Sequence, residues 1–489
     1  MKHLGFVLLM LCSLQSIAQT FKPSPAPMGG YAVIKGHVTN PAQRFWELVL
    51  NGFLDQKLAA IPIDANGNFS KTVKVEGDAM EMLIIPTRRT LSVMSKDTIT
   101  MTWDDQRAPQ TFTIAANNRF RNSSLRMQNQ LDSAFFEPYQ NLQASVYNNQ
   151  LTDVEKFTAI NNLYNREIEM LSKDDVLWGY ENIGVDVYFK YALLMHRRTL
   201  LPGYNLQINK PNANTPKLFI LNTRWPYATE SESWFRSSNS YRNFLYDYVR
   251  FSTPIKVTMI DGTPEQAKLK TAPSHNNLPL KTYQAGMNVL SINEIRDWYG
   301  TRIVMDNFTS QDFNQSTGVY NDFITKVKNP RYADTLKQFY QNMQRLKPGM
   351  PAPGFTLKDE NGRMVSLSQF KGKTVYIDFW GVNCGPCLYD IKNSIPALHE
   401  KYKDKNVVFL NICVDSDERT WQNSLKELNL HGTNLVATGW TQHPAVKAYN
   451  ITGIPHYVLI DANGNIVNNN SPGPSMGPQL YNELDKLVR

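Results

Sequence analysis

The chain has 489 residues, of which 42% are apolar, so it is long enough for two to four domains with their own cores. Its formal net charge is +8, yet the 13 basic and 13 acidic residues from Met350 onward balance, so the excess lies before that point. No dense basic run occurs and opposite charges are interspersed. This pattern indicates a solvated surface and argues against a nucleic-acid or membrane partner.

Residues 1–19 have the pattern of a secretory signal peptide. A basic start at Lys2 and His3 precedes an apolar run over residues 4–14 and a small-residue cleavage site ending at Ala18. An uncleaved anchor helix is the alternative, but the apolar run is shorter than a membrane span requires. We therefore expect export to a periplasm, with no transmembrane segment in the mature chain.

Residues 30–116 are predicted to form an all-β domain, a small antiparallel sandwich. The turn Asp64-Ala-Asn-Gly67 is favoured because Asn and Gly tolerate positive φ. No catalytic constellation occurs in this region, so we expect a role in docking or assembly. Short strand-like runs, separated by turn signals, are Tyr31–Val38, Trp46–Leu50, Phe69–Val75, Met82–Ile85 and Thr98–Trp103.

Residues 117–346 are predicted to be mainly helical. Thr152-Asp-Val-Glu155 is a capping-box signature. Asp186–Leu201 and Arg331–Leu346 are further helix candidates, and the aromatic-rich stretch Trp234–Phe251 is interpreted as core packing rather than a ligand site. Apolar residues that follow the capping box at helical spacing are Phe157, Ile160, Tyr164, Ile168 and Leu171.

Residues 350–489 are predicted to form an α/β domain, after the Pro- and Gly-rich boundary Lys347–Pro353. A β-hairpin is expected before a β-α-β core, and a second hairpin and a helix after it. The predicted elements are strands at Phe355–Leu357, Met364–Leu367, Thr374–Trp380, Val407–Val414, Tyr457–Ile460 and Asn465–Val467, and helices at Trp421–Leu428 and Pro478–Leu487.

The stretch Thr374–Asp390 carries the chemistry. An apolar run broken only by Asp378 predicts a buried strand, and Cys384-Gly-Pro-Cys387 follows it. Pro386 suits the first turn of a helix, so Cys384 is expected at the helix N-terminus, where free N–H groups and the dipole stabilise a thiolate. The two-residue spacing lets Cys387 close a disulfide with Cys384. Thiol–disulfide exchange is the predicted chemistry.

This stretch resembles the thioredoxin family. The resemblance is carried by Asp378, Trp380, the Cys384-Gly-Pro-Cys387 motif and Gly453-Ile454-Pro455, and the order of elements is similar to the TlpA/ResA-like branch. It covers residues 350–489, less than a third of the chain. The region before it resembles the β-sandwich that often precedes thioredoxin domains in exported bacterial proteins.

The resemblance implies roles for single residues. Cys384 attacks the substrate disulfide, Cys387 resolves the mixed disulfide, and Asp378, whose pKa burial should raise, shuttles the proton. Pro455 matches the family's cis-proline, which would offer the Ile454 backbone to a substrate. These two residues and Trp380, which would pack by the disulfide, are the expected substrate-binding residues. Asn383 departs from the aromatic residue common before the first cysteine.

Other assignments of the polar residues are weaker. A structural zinc site usually needs a second Cys or His pair at ligand spacing, and the mature chain offers only Cys413. Cys413 is interpreted as an inert core thiol, and His443 and His456 as structural residues. Copper chaperones of this fold separate their cysteines by three residues, and a peroxiredoxin would have Thr-x-x-Cys where Gly381-Val-Asn-Cys384 stands. No metal or cofactor is therefore expected.

Two functions follow from these observations. The first is an exported protein-disulfide reductase, supplied with electrons by another protein. The second is a binding or assembly protein of the cell envelope, in which residues 30–346 do the main work and the redox domain is auxiliary. Protein thiols and disulfides are the expected partners in the first case.

Overall fold

A computed structural model of the protein describes most of residues 29–488. The described residues are 29–42, 45–87, 89–147, 151–172, 183, 187, 190, 191, 194, 230–252, 278–310, 313–382 and 384–488. The predicted signal peptide at residues 1–19, Asn383 and most of the helix candidate Asp186–Leu201 lie outside them. None of the described helices is both long and apolar enough to cross a bilayer.

Two four-stranded sheets make up the N-terminal part, with strand orders β4-β1-β7-β8 and β3-β2-β5-β6. A short helix, α1 at Ala108–Thr111, precedes the last strand. The strands are β1 Gly30–Thr39, β2 Phe45–Asn51, β3 Gln56–Pro62, β4 Asn68–Val75, β5 Ala79–Ile84, β6 Arg89–Met94, β7 Thr98–Asp104 and β8 Thr113–Ala116.

The two sheets share one hydrophobic cluster. Trp46 and Trp103, one from each sheet, meet edge to face with their ring centroids 5.4 Å apart. The expected turn forms at Asp64–Gly67, where Gly67 has a φ of +86°. The prediction of a purely antiparallel arrangement was wrong, because β1 pairs with β7 in parallel. Long-range pairing of this kind is invisible to the local alternation from which the strands were predicted.

The middle of the chain is helical where it is described. Thr152 and Glu155 form the expected capping box, since each donates its backbone N–H to the other's side chain, at 2.7 and 3.3 Å. The aromatic stretch is core, with Phe235, Tyr241 and Tyr246 buried. The helices are α2 Arg119–Tyr147, α3 Asp153–Ser172, α4 Glu232–Ser237, α5 Asn239–Ser252, α6 Leu278–Val289, α7 Asn293–Ser310, α8 Phe313–Phe323 and α9 Pro330–Arg345.

A seven-stranded mixed sheet, of order β10-β9-β13-β12-β11-β14-β15, organises the C-terminal part. β11 lies inside the sheet between β12, to which it is parallel, and β14, to which it is antiparallel. The strands are β9 Thr356–Asp359, β10 Met364–Ser366, β11 Thr374–Trp380, β12 Val407–Cys413, β13 Thr433–Val436, β14 His456–Ile460 and β15 Ile466–Asn468. The helices are α10 Gly385–Asn393, α11 Ile395–Tyr402, α12 Glu418–Leu428, α13 Pro444–Ala448 and α14 Pro478–Leu484.

The two faces of β11 belong to different cores. Val375, Ile377 and Phe379 join the large cluster that continues into the helical region, whereas Trp380 joins the cluster that contains both motif cysteines. All seven residues of the strand are buried. Because side chains alternate along a strand, Asp378 and Trp380 point to the same face, the one on which α10 packs.

The three parts of the chain pack against one another. Phe53, in the connection between β2 and β3, inserts its ring among the helices, and its carbonyl accepts a hydrogen bond of 2.7 Å from Trp298 Nε1. Glu76 binds Arg331 at the start of α9 at 2.9 Å. Asn450, after α13, donates to Met343 Sδ at 3.4 Å. The helical region therefore contacts both the N-terminal part and the C-terminal part of the chain.

Candidate active site

Cys384 is the N-cap residue of helix α10. Its Sγ accepts the N–H of Cys387 at 3.2 Å, and Pro386 occupies the first turn. A disulfide joins Cys384 to Cys387, with the two Cα atoms 5.2 Å apart. Cys384 is 9% exposed and Cys387 only 1%. The first cysteine is thus the one that an incoming sulfur can reach, and it lies at the positive end of the helix dipole.

The turn between β11 and Cys384 is held from the neighbouring strand. Asp415, just after β12, accepts the N–H of Val382 at 2.8 Å, and the Cys384 N–H donates to the Gly381 carbonyl at 3.2 Å. A Cβ at Gly381 would lie 2.4 Å from Asp415 Oδ2 and 2.6 Å from Ile454 Cδ1. A methyl group at 381 would therefore displace the side chains of Ile454 and of Asp415, which holds this turn. Sequence inspection missed Asp415, because nothing local marks its contact with the turn.

Asp378 is a buried carboxyl beside the cysteine helix. It is 2% exposed, and neither of its oxygens has a hydrogen-bond partner among the described residues. Burial, together with the nearby charge of Asp390, raises the pKa of Asp378 to about 8. A carboxyl group with a pKa in this range can take up and release a proton near neutral pH.

A second carboxyl, Asp390, lies one helical turn beyond Cys387. Its Oδ2 accepts the hydroxyl of Tyr457 at 2.8 Å, and Tyr457 is the cross-strand neighbour of Asp378. Burial and the charges of both carboxylates raise the pKa of Tyr457. Sequence inspection missed Asp390 and Tyr457. The available signal was an acidic residue three positions after Cys387, on the helix face that carries this buried cysteine.

The expected substrate-binding residues lie around the disulfide in different ways. The Ile454–Pro455 peptide bond is cis, and Pro455 lines a groove of about 460 Å³ with Pro386. Ile454 packs against the cluster that contains both cysteines. Trp380 belongs to the same cluster but is fully buried, so in this structure its indole packs behind the disulfide and away from solvent.

Comparison with known proteins finds similar proteins for the C-terminal part of the chain. The Redoxin family model matches residues 347–484. The thiol-disulfide oxidoreductase ResA of Bacillus cereus is 28% identical over 153 residues, which are 31% of this chain and 84% of ResA. ResA of Bacillus subtilis is 29% identical over 131 residues, which are 26% of this chain and 69% of ResA.

Residues 347–484 belong to the thioredoxin-like family, in its TlpA/ResA-like branch. The resemblance predicted from the sequence is thereby confirmed. This thioredoxin-like domain makes the protein an enzyme of the thiol-disulfide oxidoreductase class. Among solved structures, the thioredoxin domain of a thiol-disulfide oxidoreductase from Bacteroides vulgatus is 30% identical. The match covers 29% of this chain and 99% of that one, with a TM-score of 0.27.

The remaining polar candidates of the thioredoxin-like domain, Cys413, His443 and His456, have structural positions. Cys413 is fully buried in the cluster behind the disulfide, and burial raises the pKa of its thiol to about 12. His443 caps α13 by accepting the N–H of Ala445 at 3.1 Å. His456 Nε2 bonds the carbonyl of Asn469, and burial lowers the pKa of His456 to about 4. No group of three or more potential metal ligands is found among the described residues.

Proposed function

We propose that the protein is an exported thiol-disulfide oxidoreductase that reduces protein disulfides through Cys384 and Cys387. The observation that carries the proposal is the position of the cysteine pair. The accessible sulfur lies at the N-cap of α10, and the buried one lies one turn before Asp390 and near the protonatable Asp378. Thiolate stabilisation and a proton acceptor are the two requirements of disulfide exchange.

The reaction begins from the dithiol form. The Cys384 thiolate attacks one sulfur of the substrate disulfide, that S–S bond breaks, and one substrate thiolate leaves. The Cys387 thiol then gives its proton to the Asp378 carboxylate and attacks Cys384 Sγ. The mixed disulfide breaks, the second substrate thiolate leaves, and the disulfide Cys384–Cys387 forms. A dithiol protein must return the two electrons for each turnover.

The Ile454–Pro455 segment and the groove beside Pro386 bind the substrate in this proposal. The disulfide of the substrate approaches Cys384, and the Ile454 backbone pairs with the adjoining substrate segment. Trp380 supports the cysteines from behind. These steps need no metal or cofactor, because the electrons pass between sulfur atoms and the Cys387 proton passes to Asp378.

Reduction of insulin by the full-length protein with a dithiol donor tests the proposal. We expect turnover by the wild-type protein and none by Cys384→Ser, which retains shape but loses the attacking sulfur. Equal rates for the two proteins would contradict the proposal and favour the alternative, a binding or assembly protein of the cell envelope in which residues 30–346 act. Trapping mixed disulfides in cells with Cys387→Ala then identifies the substrates.

Export is a separate part of the proposal, supported by the pattern of residues 1–19. We expect the mature protein to lie in the periplasm and to begin near Gln19 or Thr20. N-terminal sequencing of protein from fractionated cells measures both. Soluble cytoplasmic protein that retains Met1 would overturn this part and leave the disulfide chemistry untouched.

A further inference from the structure

A large cleft lies where the three parts of the chain meet. Its volume is about 1090 Å³, and it is lined by the connection between β2 and β3, by helices α5, α7 and α9, and by residues 442–452 of the thioredoxin-like domain. Each part of the protein thus contributes a wall. A site built from all three parts can exist only in the full-length chain, and none of the known features of the cysteine motif accounts for it.

The lining of the cleft combines polar and apolar surface and carries an excess of positive charge. Its acidic members are Asp55 and Asp306. Its basic members are Lys57, Lys71, Arg242, Arg302 and Lys447. Amide side chains also line it, from Asn51, Asn239, Asn342, Gln442 and Asn450. An anion with peptide groups matches such a wall better than an apolar ligand does.

Two of the cations, Arg302 and Lys447, contact neutral groups in the part of the chain that is described. The Arg302 guanidinium lies over the ring of Tyr246 at 4.1 Å and donates to Asn243 Oδ1 at 3.1 Å. Lys447 Nζ donates to Gln442 Oε1 at 3.0 Å. Neither Arg302 nor Lys447 forms an ion pair with any carboxylate in the part of the chain that is described. A planar guanidinium fixed by stacking is suited to a carboxylate ligand.

The cleft adjoins the exchange site. Thr452 lines it, and Ile454 is two residues further along the chain, a span of about 7 Å at full extension. The Ile454 side chain packs against the cluster that contains Cys384 and Cys387. A polypeptide held in the cleft can therefore continue across Ile454 towards the disulfide.

We propose that this cleft binds an acidic segment of the disulfide-bearing protein substrate, close in sequence to the substrate's cysteines. The inference rests on the proposed function and adds a substrate class to it. Carboxylates of the segment bind Arg302 and Lys447. The cleft thereby raises the concentration of the substrate disulfide at Cys384, since the second contact becomes intramolecular.

Binding is tested without redox chemistry. The probe is a fluorescein-labelled, cysteine-free peptide rich in Asp and Glu, with a Gln-rich peptide of equal length for comparison. We expect the acidic peptide to bind full-length wild-type protein more tightly, and Lys447→Glu to raise its Kd by about five- to ten-fold. The exposed Lys405, outside the cleft, gives the matched control Lys405→Glu, which makes the same charge change.

Turnover is tested with peptides that carry one disulfide and either an acidic or a neutral extension. We expect the wild-type protein to have a higher kcat/KM for the acidic peptide, because its KM is lower. This difference should diminish as salt is added. Lys447→Glu should remove that preference by raising the KM for the acidic peptide. Lys405→Glu should retain the preference.

The proposal is overturned if the acidic and neutral cysteine-free peptides bind wild-type protein equally, or if Lys447→Glu and Lys405→Glu change Kd alike. Failure of the proposed function looks different. In that case insulin is not reduced by the wild-type protein, while the binding measurement still gives its own answer about the cleft.

Discussion

Replacing Asp378 by Asn changes one atom of the buried carboxyl and removes its capacity to carry a proton. The side chain keeps its size in a strand that is buried along its whole length. Cys384 depends on the helix N-terminus for its thiolate, so its first attack on a substrate should survive. Cys387 is almost completely buried, so its deprotonation should become the slow step.

The magnitude follows from the raised pKa of Asp378, about 8 in the folded protein against 3.8 in an exposed chain. At pH 7 about one molecule in ten carries the ionised form that can accept a proton. Loss of a positioned base should slow the resolution step by about 10- to 100-fold.

The same pKa gives a dependence of stability on pH. When folding raises the pKa of an acidic group, the folded protein loses stability as the pH rises from the pKa of the unfolded state to that of the folded state. The loss for Asp378 therefore runs from about pH 4 to about pH 8, and Asn does not share it. The stability advantage of Asp378→Asn should grow by about 2 to 3 kcal/mol between pH 6 and pH 9.

Stopped-flow reduction of a peptide disulfide separates the two steps, because initial attack and decay of the mixed disulfide are followed independently. Urea unfolding of the disulfide form at pH 6 and pH 9 gives the stability difference. Asp404→Asn, at an exposed position of the same domain, is the matched control and should behave as wild type in both measurements.

Three results would refute the reasoning. If resolution by Asp378→Asn is unchanged from pH 6 to pH 9, the carboxyl is not the proton acceptor. If attack and resolution slow equally, the substitution has disturbed the position of the cysteines. A pH-independent stability difference would contradict the raised pKa itself.

Three further substitutions have expected outcomes. Gly381→Ala places a methyl group 2.4 Å from Asp415 Oδ2 and should destabilise the domain by about 1 to 3 kcal/mol, measured by urea unfolding against wild type. Tyr457→Phe removes the hydroxyl that donates to Asp390 and should cost about 1 to 3 kcal/mol in the same assay, because a buried carboxyl loses its donor. Cys413→Ala should leave insulin reduction unchanged. In the native reduced wild-type protein, iodoacetamide should not modify Cys413, as mass spectrometry would show, because the raised pKa keeps its thiol protonated.

Local pattern was sufficient for the elements that depend on near neighbours. The strand Thr374–Trp380 and the helix that begins after Cys384 occur where their residues predict them. An apolar run and a proline in the first helical turn both act on residues only a few positions away. The capping box at Thr152 and Glu155 and the turn at Gly67 are of the same kind. The burial of Asp378 also followed from its place inside an apolar strand.

Three strands of the N-terminal part escaped prediction, β3, β6 and β8. Their residues are mixed in polarity and give a weak strand pattern, although each strand pairs with its neighbour in the chain, as Arg89–Met94 does with Ala79–Ile84. The parallel pairing of β1 with β7 escaped because these two strands are far apart in the sequence. The boundaries predicted for the three parts of the chain remain predictions.

Residues brought together from distant segments could not be found in the sequence. Tyr457 meets Asp390 across 67 positions, Asp415 holds the turn at Val382, and the cleft combines Lys57 with Arg302 and Lys447. The cis form of the bond before Pro455 belongs to the same group, since most X-Pro bonds are trans. A sequence specifies which side chains can carry a charge or a thiolate, because that is a property of each residue. Their pKa values and partners depend on desolvation and distance, which exist only after the chain has packed.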